Sequence, residues 1–194
     1  GSTAAGSGTI TEETTILLFE EECIPRCPKL TASNPIAADF TFTGTATASI
    51  AANTVGMLSI DRYDAAAGAP LYYQVVRGFD GAYWRDSDQT WQVASTWNVM
   101  GETAGAWDRH KSSLMDVGAN ATTLTVVVGV PTTGVAGQIN YVGHVQWESN
   151  RFVTQRIVTG SASVTRSAGQ LLISNDAGTR VWNAARGAFA CQVI

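Results

Sequence analysis

The sequence predicts an all-β fold, an antiparallel β-sandwich, and three observations predict it. Helical periodicity, in which apolar residues recur every third or fourth position, is nearly absent. In its place stand short runs rich in Val, Ile, Thr and aromatic residues, separated by the turn formers Gly, Pro, Asn and Asp. The 194 residues are enough for one sandwich-sized domain with an appendage, and a 45% hydrophobic content with six Trp, six Phe and five Tyr is enough to fill its core.

Taken in order, residues 1–9 hold only Gly, Ser, Ala and Thr and are expected to be flexible. Strands are expected near 14–21, 40–50, 57–62, 71–77, 91–99, 111–117, 123–130, 140–148, 170–174 and 180–182. Asn175-Asp176-Ala177-Gly178 has hairpin-turn chemistry, and the Ser/Thr/Gly-rich stretch 160–169 marks a boundary. The expected organisation is a flexible segment and strand region over 1–28, a sandwich over 29–159, and C-terminal strands over 160–194 that dock on it or oligomerise. Because successive strand residues point to opposite sides, Trp91, Val93, Trp97 and Val99 share one face, and Gln92, Ala94, Thr96 and Asn98 the other. In the late strand Tyr141, Val145 and Trp147 oppose Asn140, His144, Gln146 and Glu148.

Charge narrows the function classes. With 12 Lys+Arg against 16 Asp+Glu the net charge is −4, so a nucleic-acid partner is not expected. No apolar run approaches the ~18 residues that cross a bilayer, so no membrane partner is expected either. Only 14% of residues are charged, which predicts a neutral, hydroxyl-rich surface. The chain opens Gly1-Ser2 without Met, as a cleavage scar would, so a targeting segment could have been removed. Cys23, Cys27 and Cys191 are odd in number, and Cys-Ile-Pro-Arg-Cys lacks the companions of a zinc site. Structural thiols are expected, with a bridge from Cys191 to the N-terminal pair as the alternative.

Catalytic motifs are missing: there is no Gly-x-Ser-x-Gly, His-Glu-x-x-His or phosphate loop, and the only histidines are His110 and His144. Glu102, Asp108 and Glu148 are the candidates for a glycosidase carboxylate pair, with hydrogen-bonded loop acids the more ordinary reading. Asp86-Ser87-Asp88 offers oxygen ligands for calcium but lacks the twelve-residue loop pattern. No cofactor is otherwise expected. Asn120-Ala121-Thr122 is formally a glycosylation sequon.

The densest signal is Tyr83-Trp84-Arg85-Asp86-Ser87-Asp88-Gln89-Thr90-Trp91, followed by Trp97 and Trp107. A flat aromatic ring takes the apolar C–H side of a sugar, while amides, carboxylates and Arg direct bonds to its hydroxyls. Against this stands the commoner fate of strand aromatics, core filling, which the alternation assigns to Trp91 and Trp97. Tyr83 and Trp84 follow the Gly78–Gly81 turn and are expected to be exposed; Trp107 is open to either reading.

From about Phe40 to Thr165 the chain resembles the carbohydrate-binding-like jelly-roll modules of tail-fibre and spike proteins of bacteriophages and gene transfer agents. The resemblance is carried by Tyr83 to Val99, by Gly105-Ala-Trp107-Asp-Arg109, and by Thr123-Leu-Thr-Val-Val-Val-Gly-Val. It continues through Gly137-Gln-Ile-Asn-Tyr-Val-Gly-His-Val-Gln146-Trp147-Glu148, where Trp147 replaces the usual Leu, and ends in Arg156-Ile-Val-Thr and Thr165-Arg166. It implies a jelly roll and a non-enzymatic adhesin on the surface of a virion or phage-like particle, with bacterial surface polysaccharide and other fibre or spike subunits, including copies of itself, as partners. A purely structural fibre subunit is the alternative, and a polysaccharide depolymerase a third. Two binding geometries are open: a sheet face using Asn140, His144, Gln146 and Arg85 with an exposed tryptophan, or end loops using Tyr83, Trp84, Asp86, Asp88 and Trp107.

Overall fold

The computed structural model describes residues 2–13, 27–45, 49–153, 182–183 and 188–189. It divides the chain into two compact units, Gly1–Arg156 and Ile157–Ile194. In the second, Trp182–Asn183 pairs antiparallel with Ala188–Phe189.

The first unit is an all-β sandwich. Its first sheet has seven strands, β1 (Ser2–Ala5), β4 (Phe40–Thr45), β12 (Leu124–Val130), β6 (Tyr72–Arg77), β7 (Tyr83–Arg85) and β8 (Thr90–Gln92) side by side, with β9 (Asn98–Val99) also against β6. The second has six, β10 (Trp107–Lys111), β5 (Val55–Asp64), β13 (Ile139–Glu148), β3 (Cys27–Ala32) and β2 (Gly8–Glu13), with β11 (Met115–Asp116) also against β5. Every pairing is antiparallel, and the chain passes repeatedly from one sheet to the other, the jelly-roll arrangement the sequence led us to expect.

Alternation explains why these strands pack as two layers. Leu124, Val126, Val128 and Val130 of β12 meet Tyr73 and Val75 of β6 and Phe40 of β4 on the inner side, facing Leu58 and Ile60 of β5, Leu30 of β3 and Val142 of β13. Gly129 of β12 lies so close to β4 that a Cβ there would collide with the Phe40 carbonyl, so only glycine fits.

Several expectations change. The N-terminal residues expected to be flexible form β1, paired with β4, and the start of β2, paired with β3. The strand expected over 91–99 breaks into β8 and β9, with Val93 97% exposed between them. The break places Asn98 opposite Tyr73 on the inner side and turns Val99 outward, the reverse of the sequence reading. The strand expected over 111–117 is instead β10, which starts at Trp107, and the short β11. The expected strands 14–21 and 170–174, the turn 175–178, Cys23 and Cys191 lie outside the described residues.

Candidate functional site

Three of the sequence-predicted site residues turn inward. Trp84 is 2% exposed and belongs to the core, because β7 pairs with β6 so that Tyr83 and Arg85 face out and Trp84 faces in. Its indole ring meets Trp91 edge-on at 5.1 Å. Asp86, expected to contact sugar or calcium, is instead the acceptor of an internal cluster. Its carboxylate receives the Trp84 Nε1–H at 2.8 Å, the Ser113 Oγ–H at 2.6 Å and the Ser113 N–H at 3.1 Å, together with the buried Tyr73 hydroxyl. Burial first, then the Asp86 charge, drives the Tyr73 pKa far above its usual value. Asn98 closes the cluster, accepting from Asp86 N–H and donating to the Trp84 carbonyl, both at 2.9 Å.

Asn140 is the third correction. It sits on the inner side of β13, fully buried, and donates to Asp64 at 2.7 Å and to the Ala69 carbonyl at 2.9 Å. Asp64 also receives Arg62 Nη1–H at 2.8 Å, and Arg62 reaches the Gly101 carbonyl at 2.9 Å. This network ties the loop before β10 to the sheet, since Thr103 N–H also donates to Asp64, at 3.2 Å. An orphaned buried polar group is costly, and here the partners are supplied by residues distant in sequence.

The other candidates divide between the two outer faces. On the second sheet, β10, β5 and β13 bring Trp107, Tyr63 and Tyr141 into a row, with ring centroids 5.7 and 5.4 Å apart. One row along, His144 Nδ1 lies 3.6 Å from Asp61, and beyond it Gln146 donates to Glu148 at 2.9 Å. Arg109 donates to Ser59 at 2.8 Å and lies 3.9 Å from Glu148. So Trp107, read with the end loops, joins His144 and Gln146. This face is closed, however: Tyr141 is 6% and Asp61 1% exposed, and Asp61, Trp107, Arg109, Tyr141, Gln146 and Glu148 each make further contacts within the chain.

The outer face of the first sheet is the more open one toward β9, where Val99 is 54% exposed, although Gln74, under the Ser95 loop, is 6% exposed. Pairing of Tyr72 with Val99, and of Tyr83 with both Val76 and Gln92, places Tyr72, Tyr83, Gln92 and Val99 on that side, with Thr41, Thr43, Thr125 and Gln74 on the same side of their strands. Trp97, just before β9 on the side of Val99, is partly exposed and is not among the tryptophans packed on the core, which corrects its expected burial. Its Nε1–H donates to Asp39 Oδ2 at 3.0 Å, and Asp39 Oδ1 accepts Thr132 N–H at 2.7 Å, so the indole is held before any ligand arrives. The loop carrying it is tied down by Gln74, which donates to Ser95 Oγ at 2.8 Å.

At the rim, Arg85 makes a bidentate pair with Asp88, one bond at 2.9 Å, and Asp88 also accepts from Thr90 at 2.8 Å. The Arg85 hydrogen bond, then that of Thr90, lowers the Asp88 pKa to about 2. Asp86 and Asp88, read together as calcium ligands, serve separate donors, and among the described residues no group of three or more His, Cys, Asp or Glu is placed to hold a metal. No helix among them is long and apolar enough to cross a membrane. Sequence reading missed Tyr72, Gln74, Gln92, Asp39 and the exposure of Trp97. Tyr72 was recoverable from alternation in 71–77, whereas the Asp39–Trp97 bond spans residues far apart in the chain.

No protein-family profile matches the chain, and no curated protein matches it. Among solved structures it is similar to the CBM22-1 xylan-binding domain of Paenibacillus barcinonensis Xyn10C, at 14% identity over 76% of this chain and 84% of that one, TM-score 0.49. It is similar to the enzymatically active domain of tailspike protein 4 from bacteriophage CBA120, at 11% identity and TM-score 0.49, covering 76% of this chain but 19% of that one. The module TmCBM61, solved with β-1,4-galactotriose, shows 9% identity over 76% of this chain and 87% of that one, TM-score 0.43.

Proposed function

We propose that this chain is a non-catalytic carbohydrate-binding module that takes a polysaccharide on the outer face of its first sheet. The observation that carries this reading is Trp97, lifted off the core, pinned through its indole N–H to Asp39, and set on the same face as Tyr72, Tyr83 and amide and hydroxyl side chains. Aromatic rings beside neutral donors and acceptors are what a sugar needs, since amides cost less to desolvate than charges. Tyr72 lies four residues from the partner of Tyr83, so the platform runs about 13 Å along the strands, a length suited to a chain of sugars rather than one.

The biological setting follows from the sequence resemblance over Phe40 to Thr165: a receptor-binding module of a phage or phage-like particle fibre or spike, assembled with other subunits and displayed at the particle surface to hold bacterial polysaccharide. Titration calorimetry of the intact chain against bacterial surface polysaccharides tests the binding role. Trp97→Ala is expected to weaken binding ~10- to 100-fold, as the loss of one stacking ring would. Trp107→Ala and His144→Ala, on the other sheet, are expected to leave it unchanged. Loss on those two variants alone would move the site to the second sheet, release of reducing ends would make the chain a depolymerase, and binding to no polysaccharide would end the reading. A structural fibre subunit is the second reading, favoured by the exposed Val93 and Val99; an oligomer by light scattering that Val99→Asp dissolves would support it.

A further inference from the structure

Charge is segregated between the two sheets. The strands of the second sheet carry eleven Asp, Glu, Lys or Arg, namely Glu12, Glu13, Lys29, Asp61, Arg62, Asp64, Asp108, Arg109, Lys111, Asp116 and Glu148, whereas across the seven strands of the first the only ones are Arg77 and Arg85. Both of these are held by the chain's own acids three residues on. Arg77 donates Nε–H to Asp80 at 3.0 Å and Nη2–H at 2.6 Å, reaches the Val117 carbonyl at 3.1 Å, and has its guanidinium 4.5 Å from the ring centres of both Phe79 and Trp91. Arg85 is tied in the same way by Asp88, which Thr90 also holds. The two acids that support this surface, Asp39 and Asp88, have their oxygens committed to Trp97, Thr132, Arg85 and Thr90.

An acidic sugar is recognised by a guanidinium free to make two parallel bonds to its carboxylate. The outer face itself has one strand guanidinium, Arg85, already so engaged, and beside it the carboxylates of Asp88 and Asp39, which repel a polyanion; Arg77, in phase with Tyr73 and Val75, turns to the inner side against Trp91. We infer that the polysaccharide of this face is uncharged, and that Asp88 is the residue that excludes acidic polymers, by occupying Arg85. This inference rests on the glycan-binding reading and adds to it the chemical class of the ligand.

The test is a panel of neutral polymers (hydroxyethyl cellulose, galactan, mannan, dextran and neutral bacterial exopolysaccharides) and acidic ones (polygalacturonate, alginate, hyaluronan), titrated with the intact chain. Salt is raised from about 0.1 to about 1 M, where the screening length falls from about 10 to about 3 Å. Expected is binding within the neutral group only, with an affinity that changes less than about twofold over that range. Asp88→Ala, which releases Arg85, is expected to gain binding to polygalacturonate that fades as salt rises. Wild-type binding to an acidic polymer, weakened by salt, would overturn the inference while keeping the glycan reading. An Asp88→Ala variant as indifferent to polygalacturonate as wild type would overturn the role of Asp88. Binding to neither group would overturn the glycan reading itself.

Discussion

Replacing Asp86 by alanine removes the acceptor on which four donors converge. Of these, the Tyr73 hydroxyl is buried in the core and cannot turn to water, whereas the Trp84 indole N–H keeps Ser113 Oγ as a second acceptor at 3.0 Å and Ser113 is itself partly exposed. A stranded buried donor costs about 1 to 3 kcal/mol, so the Tyr73 hydroxyl predicts a loss of roughly 2 kcal/mol. That is a sizeable part of the 5 to 15 kcal/mol typical of a domain and corresponds to a melting-temperature drop of roughly 4 to 8 °C. Urea and thermal unfolding followed by tryptophan fluorescence would read it, with Trp84 itself as a reporter. Asp86→Asn, which keeps one acceptor oxygen, is expected to lose about half as much. A loss below about 1 kcal/mol for the alanine variant would show that the cluster rehydrates without cost. Unchanged stability with lost glycan binding would refute the structural assignment and return Asp86 to the binding surface.

Two further expectations follow from the interior. Arg62→Ala leaves the buried Asp64 carboxylate without its guanidinium and is expected to cost about 3 to 5 kcal/mol by urea unfolding, a loss that Arg62→Lys recovers only in part. His110 packs at a tilt against Tyr73, ring centres 5.2 Å apart, and burial, outweighing the nearby Asp86 charge, lowers its pKa below the usual 6.5. The unfolded chain therefore binds this proton first, so the stability from neutral His110 is complete above about pH 6.5 and is lost as pH falls through the lowered value. Unfolding free energy measured from pH 7 down to pH 5 should decline, and His110→Gln should flatten that decline; an equal slope in the variant would assign it to other groups.

Period-two patterns made the long strands β5, β6, β12 and β13 legible, because each buries one side against the other layer and leaves a clear alternation. The same logic failed between Trp91 and Val99. There the chain needs Asn98 inside to satisfy Asp86 and Trp84, and that demand comes from β7 and the Ser113 loop rather than from neighbours in sequence. The aromatic cluster around Tyr83 was visible as composition, but whether a ring faces ligand or core depends on which strand it pairs with. The one-residue step from Tyr83 to Trp84 separates the two fates.

By itself the sequence determined the all-β sandwich, the scarcity of charge and the stretch of chain from which a sugar platform would be drawn, since each depends on local periodicity or composition. Only the tertiary structure decided that Trp84, Asp86 and Asn140 serve the interior while Trp97 stands outside. It also decided that His144 and Gln146 lie on the opposite sheet from Tyr83 and Arg85, and that nearly all the strand charge gathers on that second sheet. Those outcomes depend on register and on partners far apart in sequence, where one unsatisfied buried donor outweighs the preference of a single side chain for either face.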